Sequence, residues 1–212
     1  MRDYTHIDRF LDKLIDQVYP QPQDPGHTAW AIESVESFIH FTGTLNGMSV
    51  LDLGCGEAFL QDTFERFGYD YAGVCLGEDY QVARSNNRSV YEVDFSFLDW
   101  WKDESVDFLY SRHSLEHSPM PLLTLMEWHR VSKKYLGVVV PSPVHWTYVG
   151  RNHYYVLNDP QWRNLFDVAG FDVIYSHVKT HNMSPDPNGT EVEIEYWYLL
   201  EKKKPNPVVE IG

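Results

Sequence analysis

The sequence predicts an α/β fold, a three-layer α-β-α sandwich on a mostly parallel seven-stranded sheet with an antiparallel last strand, behind an N-terminal helical cap. Three observations predict it. From residue 48 onward, apolar strand-like runs alternate five times with amphipathic helical segments, the pattern of a parallel sheet covered on both faces. A glycine-rich turn closes the first of those strands. Two strand-like segments end the chain with only the loop "KTHNMSPDPNGT" between them, so they are expected to pair antiparallel.

The elements follow in order. Residues 4–19 carry Ile7, Phe10, Leu11, Leu14, Ile15 and Val18 at helical spacing. "PQPQDPG" breaks that helix, and a second runs over about 28–41. "MSVLDLG" (48–54) reads as a buried strand, "AFLQDTFERFG" (58–68) as a helix ending on glycine, and "YDYAGVCL" (69–76) as a strand. "DYQVARSN" (79–86) is helical, while "SVYEVD" (89–94) and "VDFLYSR" (106–112) are strands. "PLLTLMEWHRVS" (121–132) is a helix, and "KYLGVVVPSP" (134–143) is a strand stopped by prolines. "DPQWRNLFDVAG" (159–170) opens with the Asp and Pro of a helix start. "FDVIYSHV" and "EVEIEYWYLLEK" are the closing strands. The domain reading is a helical cap over 1–45, the sheet domain over 46–205 and a tail over 206–212.

Composition narrows the function classes. A 212-residue chain suits one domain with a substantial core. Two cysteines, Cys55 and Cys75, are too few for a disulfide scaffold and are expected to be buried thiols. A net charge of -14 repels polyanions, so DNA is not an expected partner. No run reaches membrane-spanning length, and the amphipathic, acidic N-terminus is unlike a signal peptide. The expectation is a cytoplasmic protein with no membrane partner.

The loop "VLDLGCGEA" (50–58) raises the question of a ligand. In an open parallel sheet the binding crevice lies at the carboxyl ends of the strands, where strand order reverses. Glycines there permit a sharp turn and a close approach to the backbone. A dinucleotide fingerprint requires a third glycine where this chain has Phe59. The segment, with Asp52 before Gly54 and Gly56, instead resembles the first motif of class I S-adenosylmethionine-dependent methyltransferases, in their small-molecule or ubiquinone-biosynthesis-like branch. Further segments resemble the same family in order: "DYAGVCL", "VYEVDF", the stretch from Glu104 to Pro143, and "NDPQWRNLFDVAGFDVIYS". Together they span about residues 46–178.

The resemblance implies a Rossmann-like sheet, S-adenosylmethionine as cofactor, and a set of site residues. Asp52, with the backbone of Gly54 and Gly56, would hold the amino-acid end of the cofactor. Asp94 and the following Phe95 would stand beside the adenine, and Ser111 at the end of the fourth strand is implied as a further cofactor residue. The family's usual ribose-binding acid falls near Cys75, which cannot serve; Glu78 is the expected substitute, with neighbouring Asp79 as the other choice.

"SRHSLEHSP" follows the fourth strand, where the methyl acceptor should lie. In a helix His113, Glu116 and His117 would share one face. Two imidazoles and a carboxylate can hold a divalent metal, and methyltransferases of small phenols and of small-RNA ends resemble this with a Glu-x-x-Glu-His segment. Pro119 and Pro121 limit such a helix, an Glu-His pair also braces this loop in metal-free relatives, and no metal is assigned. His113 and His117 are the expected catalytic residues, as a general base for an acceptor hydroxyl. An aromatic segment, "PSPVHWTYVGRNHYYVLND", with Arg151, is expected to lie over the pocket and to suit a small organic or glycan acceptor. The expected reaction is methyl transfer to oxygen, or else nitrogen. The alternatives are a non-catalytic cofactor-binding regulator and a metal-dependent RNA-end methyltransferase.

Overall fold

The computed structural model describes residues 4–15, 24–43, 47–146, 152–182 and 192–203. Helix α1 spans Thr5–Ile15 and α2 spans Pro25–Thr42. Then follow β1 (Ser49–Leu53), α3 (Gln61–Arg66), β2 (Asp70–Cys75), α4 (Gly77–Ser85), β3 (Val90–Glu92) and β4 (Val106–Arg112). A single 3₁₀ turn at Leu115–His117 leads to α5 (Pro121–Val131), β5 (Ser132–Pro141), the short α6 (Pro143–Trp146), α7 (Asp159–Val168), β6 (Phe171–Asn182) and β7 (Val192–Lys202). Every strand and major helix expected from the sequence is present. The extension of the first helix to residue 19 lies outside the described residues.

The seven strands form one sheet in the order β3-β2-β1-β4-β5-β7-β6. The β1, β2, β3, β4 and β5 pairings are parallel, whereas β7 runs antiparallel to both β5 and β6. Strand order reverses between β1 and β4, so the crevice opens at their carboxyl ends. That is where the glycine loop stands.

The side-chain period of two sends alternate strand residues to opposite faces. One face, with Val50, Phe108, Tyr110 and Val139, packs on Ala31, Val35 and Phe38 of α2 and Phe64 of α3. The other, with Leu51, Leu53, Leu109, Val138 and Val140, packs on Leu125 and Trp128 of α5 and Trp162 and Phe166 of α7. Helix α2 is thus part of the core. Its Ser34 hydroxyl lies 2.7 Å from the buried Tyr110 hydroxyl, and Phe38 fills the space above Gly137, where an added Cβ would stand 2.7 Å from its ring. Asp24 caps α2 by accepting from the His27 amide at 2.9 Å.

Helix α1 differs. None of its residues is buried, and Phe10 is 61% exposed. Its less exposed edge, Leu11, Leu14 and Ile15, lines the crevice over the carboxyl ends of the strands. Cys55 and Cys75 are both buried and unoxidised, as expected.

Removing the Phe38 ring tests the structural role of α2. Phe38→Ala is expected to cost about 3–5 kcal/mol, as large-to-small core substitutions do. Thermal unfolding should read this as a midpoint lower by roughly 6–20 °C for a chain of this size.

Candidate active site

The glycine loop owes its shape to backbone conformations that other residues avoid. Gly54 and Gly56 have φ of 75° and 54°. A Cβ on Gly54 would stand 2.3 Å from the Ser114 hydroxyl, so a side chain there meets both backbone strain and a wall. The Gly54 and Cys55 amides both bond to the Val74 carbonyl, at 2.9 and 3.0 Å, which ties the loop to β2.

One pocket runs from this loop across the ends of β1, β2, β3 and β4. Asp52, Gly54, Gly56, Phe59, Cys75 and Leu76 line one part. Asp79, Asp94, Phe95 and Ser96 line the next, and Arg112, His113, His117 and Tyr154 the far end. Polar groups therefore stand at both ends of an otherwise apolar cleft, the usual composition of a small-molecule site.

Asp52 is 3% exposed at the end of β1 and accepts from the Tyr71 hydroxyl at 3.0 Å. Burial pushes its carboxyl up to about 7, against the smaller opposing pull of that hydrogen bond. Asp94 is also raised by burial, and its Oδ1 accepts from the Ser96 amide at 2.8 Å.

Two expected cofactor residues do not stand where the sequence reading put them. Glu78 is exposed and Asp79 faces the cleft in its place. The turn into α4 passes through Gly77 at φ 60°, and this sets which of the two adjacent acids is turned inward. Ser111 is fully buried inside β4, is not among the pocket-lining residues, and its hydroxyl has no hydrogen-bond partner among the described residues. Parallel pairing on both sides fixes its position within the sheet.

The segment after β4 is not a helix. His113 has φ 49°, outside the 3₁₀ turn, so His113, Glu116 and His117 do not share one face. Its Nε2 lies 2.7 Å from Glu195 Oε1 on β7, and its Nδ1 lies 3.4 Å from Glu116 Oε1. Burial and the adjacent Arg112 guanidinium push the His113 imidazole down, but Glu116 and Glu195 outweigh them and lift it to about 9. At neutral pH it is an imidazolium with no lone pair to accept a proton. A raised imidazole held by two carboxylates is a poorer proton acceptor than His117.

His117 turns the other way. Its Nδ1 lies 3.0 Å from the Asn152 carbonyl, and its ring stands 4.6 Å from that of His153. Burial lowers its pKa, so it is neutral at pH 7. Residues 152–155 are docked here because the Tyr154 and Tyr155 amides both donate to the Glu116 carbonyl, at 2.9 and 3.1 Å. Of the expected aromatic lid, Tyr148 and Arg151 and the side chains of His145 and Trp146 lie outside the described residues.

Sequence reading missed Glu193 and Glu195, which are 2% and 0% exposed. Glu195 receives Arg112, His113, His181 and the Trp197 indole. His27 Nε2 of α2 lies 3.8 Å from Glu193. The one available signal was "EVEIEYW", which carries acids at every second position of a strand otherwise rich in core residues.

A doubly wound sheet with a glycine loop and a buried acid at its reversal point places a ligand crevice over the strand ends. Residues 51–135 match the family model described as a methyltransferase domain. The matched segment runs from β1 into β5 and includes the glycine loop, so the chain carries a methyltransferase domain, consistent with an S-adenosylmethionine-dependent enzyme. No curated protein matches the sequence. Among solved structures, YcgJ protein from Bacillus subtilis is similar at 15% identity, covering 81% of this chain and 99% of its own, with a TM-score of 0.67. A S-adenosylmethionine-dependent methyltransferase from Methanosarcina mazei is similar at 15% identity, covering 78% and 97%, with a TM-score of 0.63. Magnesium protoporphyrin IX methyltransferase from Synechocystis, solved with bound S-adenosylmethionine, is similar at 14% identity, covering 96% and 99%, with a TM-score of 0.64. Among the described residues no helix is long and apolar enough to cross a membrane.

The raised Asp52 pKa makes a signed prediction. Unfolded, this carboxyl loses its proton near its ordinary 3.8; folded, it holds it to about 7. The unfolded chain thus carries fewer protons between those values, so rising pH works against the fold across that window. Above it the cost reaches up to about 4 kcal/mol. Asp52→Asn carries no such cost. The ligand-free variant should melt higher than the parent at pH 8, and the difference should vanish near pH 4.

Proposed function

We propose that this methyltransferase acts on an oxygen of a small organic or glycan acceptor. The reading rests on one observation: a single pocket joins the glycine loop to the neutral His117. The Gly54 cradle, which a Cβ would fill, and the buried carboxylate beside it fit the amino-acid end of the cofactor. When bound, S-adenosylmethionine supplies a methyl group on a sulfonium, already reactive toward a nucleophile.

The chain's residues then bind and orient. Asp52 pairs with the ammonium, which offsets the cost of ionising that buried carboxyl. Asp79 reaches the ribose, in the role first assigned to Glu78. Asp94 and the Phe95 amide face the adenine. His117 receives the acceptor's proton at Nε2, since its Nδ1 is engaged by the Asn152 carbonyl. Tyr154 and the inner edge of α1 exclude water over the acceptor end. Most of the rate then comes from alignment of the two reactants.

Binding is tested first by thermal unfolding with S-adenosylhomocysteine. At a hundred times its dissociation constant a ligand adds about 2.7 kcal/mol. The midpoint should rise by roughly 5–10 °C. Asp52→Ala should lose the shift; a parent protein with no shift would remove the cofactor assignment.

The base role is tested by turnover of acceptor hydroxyls. His117→Asn should lower the rate about 10²–10⁴-fold at neutral pH. Because the imidazole is held below its ordinary 6.5, the parent's rate should stay level through neutrality and fall only on the acid side of that value.

A further inference from the structure

We propose that Glu116, His117 and His153 form a binding site for a divalent first-row transition metal, Zn²⁺ being the best match, at the acceptor end of the pocket. Each residue offers one ligand atom, and all three atoms lie within 4.8 Å of one another. Around a zinc ion with bonds of about 2.1 Å, ligand atoms stand roughly 3.4 Å apart.

The independent mark of a missing cation is Glu116. Its side chain is 0% exposed, and neither carboxylate oxygen has a hydrogen-bond partner among the described residues. The His113 imidazolium pairs with Glu116 at 3.4 Å but is shared with Glu195 on its other side, so the Glu116 oxygens keep lone pairs to which no hydrogen bond is made among the described residues. A wholly buried carboxylate left this way calls for a specific explanation, and an ion is one.

The second imidazole is prepared for such a role. The Asn152 carbonyl only accepts, so His117 carries its proton on Nδ1 and its lone pair on Nε2. A carbonyl behind the imidazole is the usual means of orienting a metal-binding histidine. The backbone supplies the third ligand, because the Tyr154 and Tyr155 amides clamp the segment bearing His153 onto the Glu116 carbonyl.

The donor set decides the metal class. Two imidazoles and one carboxylate suit zinc and its first-row neighbours, whereas magnesium and calcium prefer oxygen alone. Three protein ligands leave a position open, and His117, Asn152 and Tyr154 line the pocket on that side. His113, Glu193 and Glu195 also gather three ligand atoms. There, however, Glu195 already serves four donors, and the Arg112 guanidinium beside it repels a cation.

Metal binding goes beyond the proposed transfer reaction and stands without it; only its use rests on that reading. A bound metal would occupy the Nε2 lone pair, and its charge would then favour the deprotonated acceptor, the proton leaving to solvent.

The test is spectroscopic, on the untagged full chain stripped with a chelator and titrated with Co²⁺. One ion per chain should bind with the visible absorption of a four- or five-coordinate site, and Zn²⁺ should displace it. Glu116→Gln and His153→Ala should each weaken binding by tenfold or more, while Glu193→Gln leaves it unchanged. An absence of binding, binding indifferent to both ligand substitutions, or loss in Glu193→Gln would overturn the site. The S-adenosylhomocysteine melting shift, read on the same samples, reports folding and the transferase reading separately. Should Glu116→Gln fail to fold, His153→Ala, at a partly exposed position, carries the test alone.

Discussion

The site is organised around one buried carboxylate, Glu195. It stands on β7, which runs antiparallel to both β5 and β6, and is 0% exposed. Its Oε1 meets Arg112 and His113 from the end of β4, and its Oε2 meets His181 on β6 and Trp197 on its own strand. A buried ion costs heavily unless every lone pair finds a donor, and here four donors converge on two oxygens. Satisfying them fixes where β4 ends, and it holds His113 at positive φ. The chain then turns away from a helix, and the following residues are free to face the pocket.

The same arrangement sorts two histidines four residues apart into opposite states. Both are largely buried, which alone would lower both. His113 lies between Glu116 and Glu195 and is lifted to about 9. His117 has a backbone carbonyl and a second imidazole for company, and burial prevails. One therefore pairs with the carboxylates at the sheet end, and the other lines the pocket.

The glycine-loop end of the pocket was legible because it sits on a few contiguous residues. Asp52, Gly54 and Gly56 fall on one strand-to-loop turn, and the chemistry demands those residue types at that spacing. The choice between Glu78 and Asp79 was not legible, since adjacent residues at a helix start differ by about 100° of rotation, and the entry angle set by Gly77 decides. Ser111 read as a strand-end residue, but parallel neighbours on both sides bury it one residue short of the mouth.

What the sequence by itself determined is the order of elements and the sheet they make. Apolar periodicity, glycine and proline placement, and the absence of helix between the last two strands are local signals, and each is read within a dozen residues. The tertiary structure alone decided the acceptor end. Glu116 meets His153, and His113 meets Glu195, across 37 and 82 positions of chain. Such pairs carry no local pattern, since they form only when strand pairing and loop docking bring distant backbone together. Charge state and ligand geometry depend on just those neighbours, and so they were fixed only once the sheet had closed.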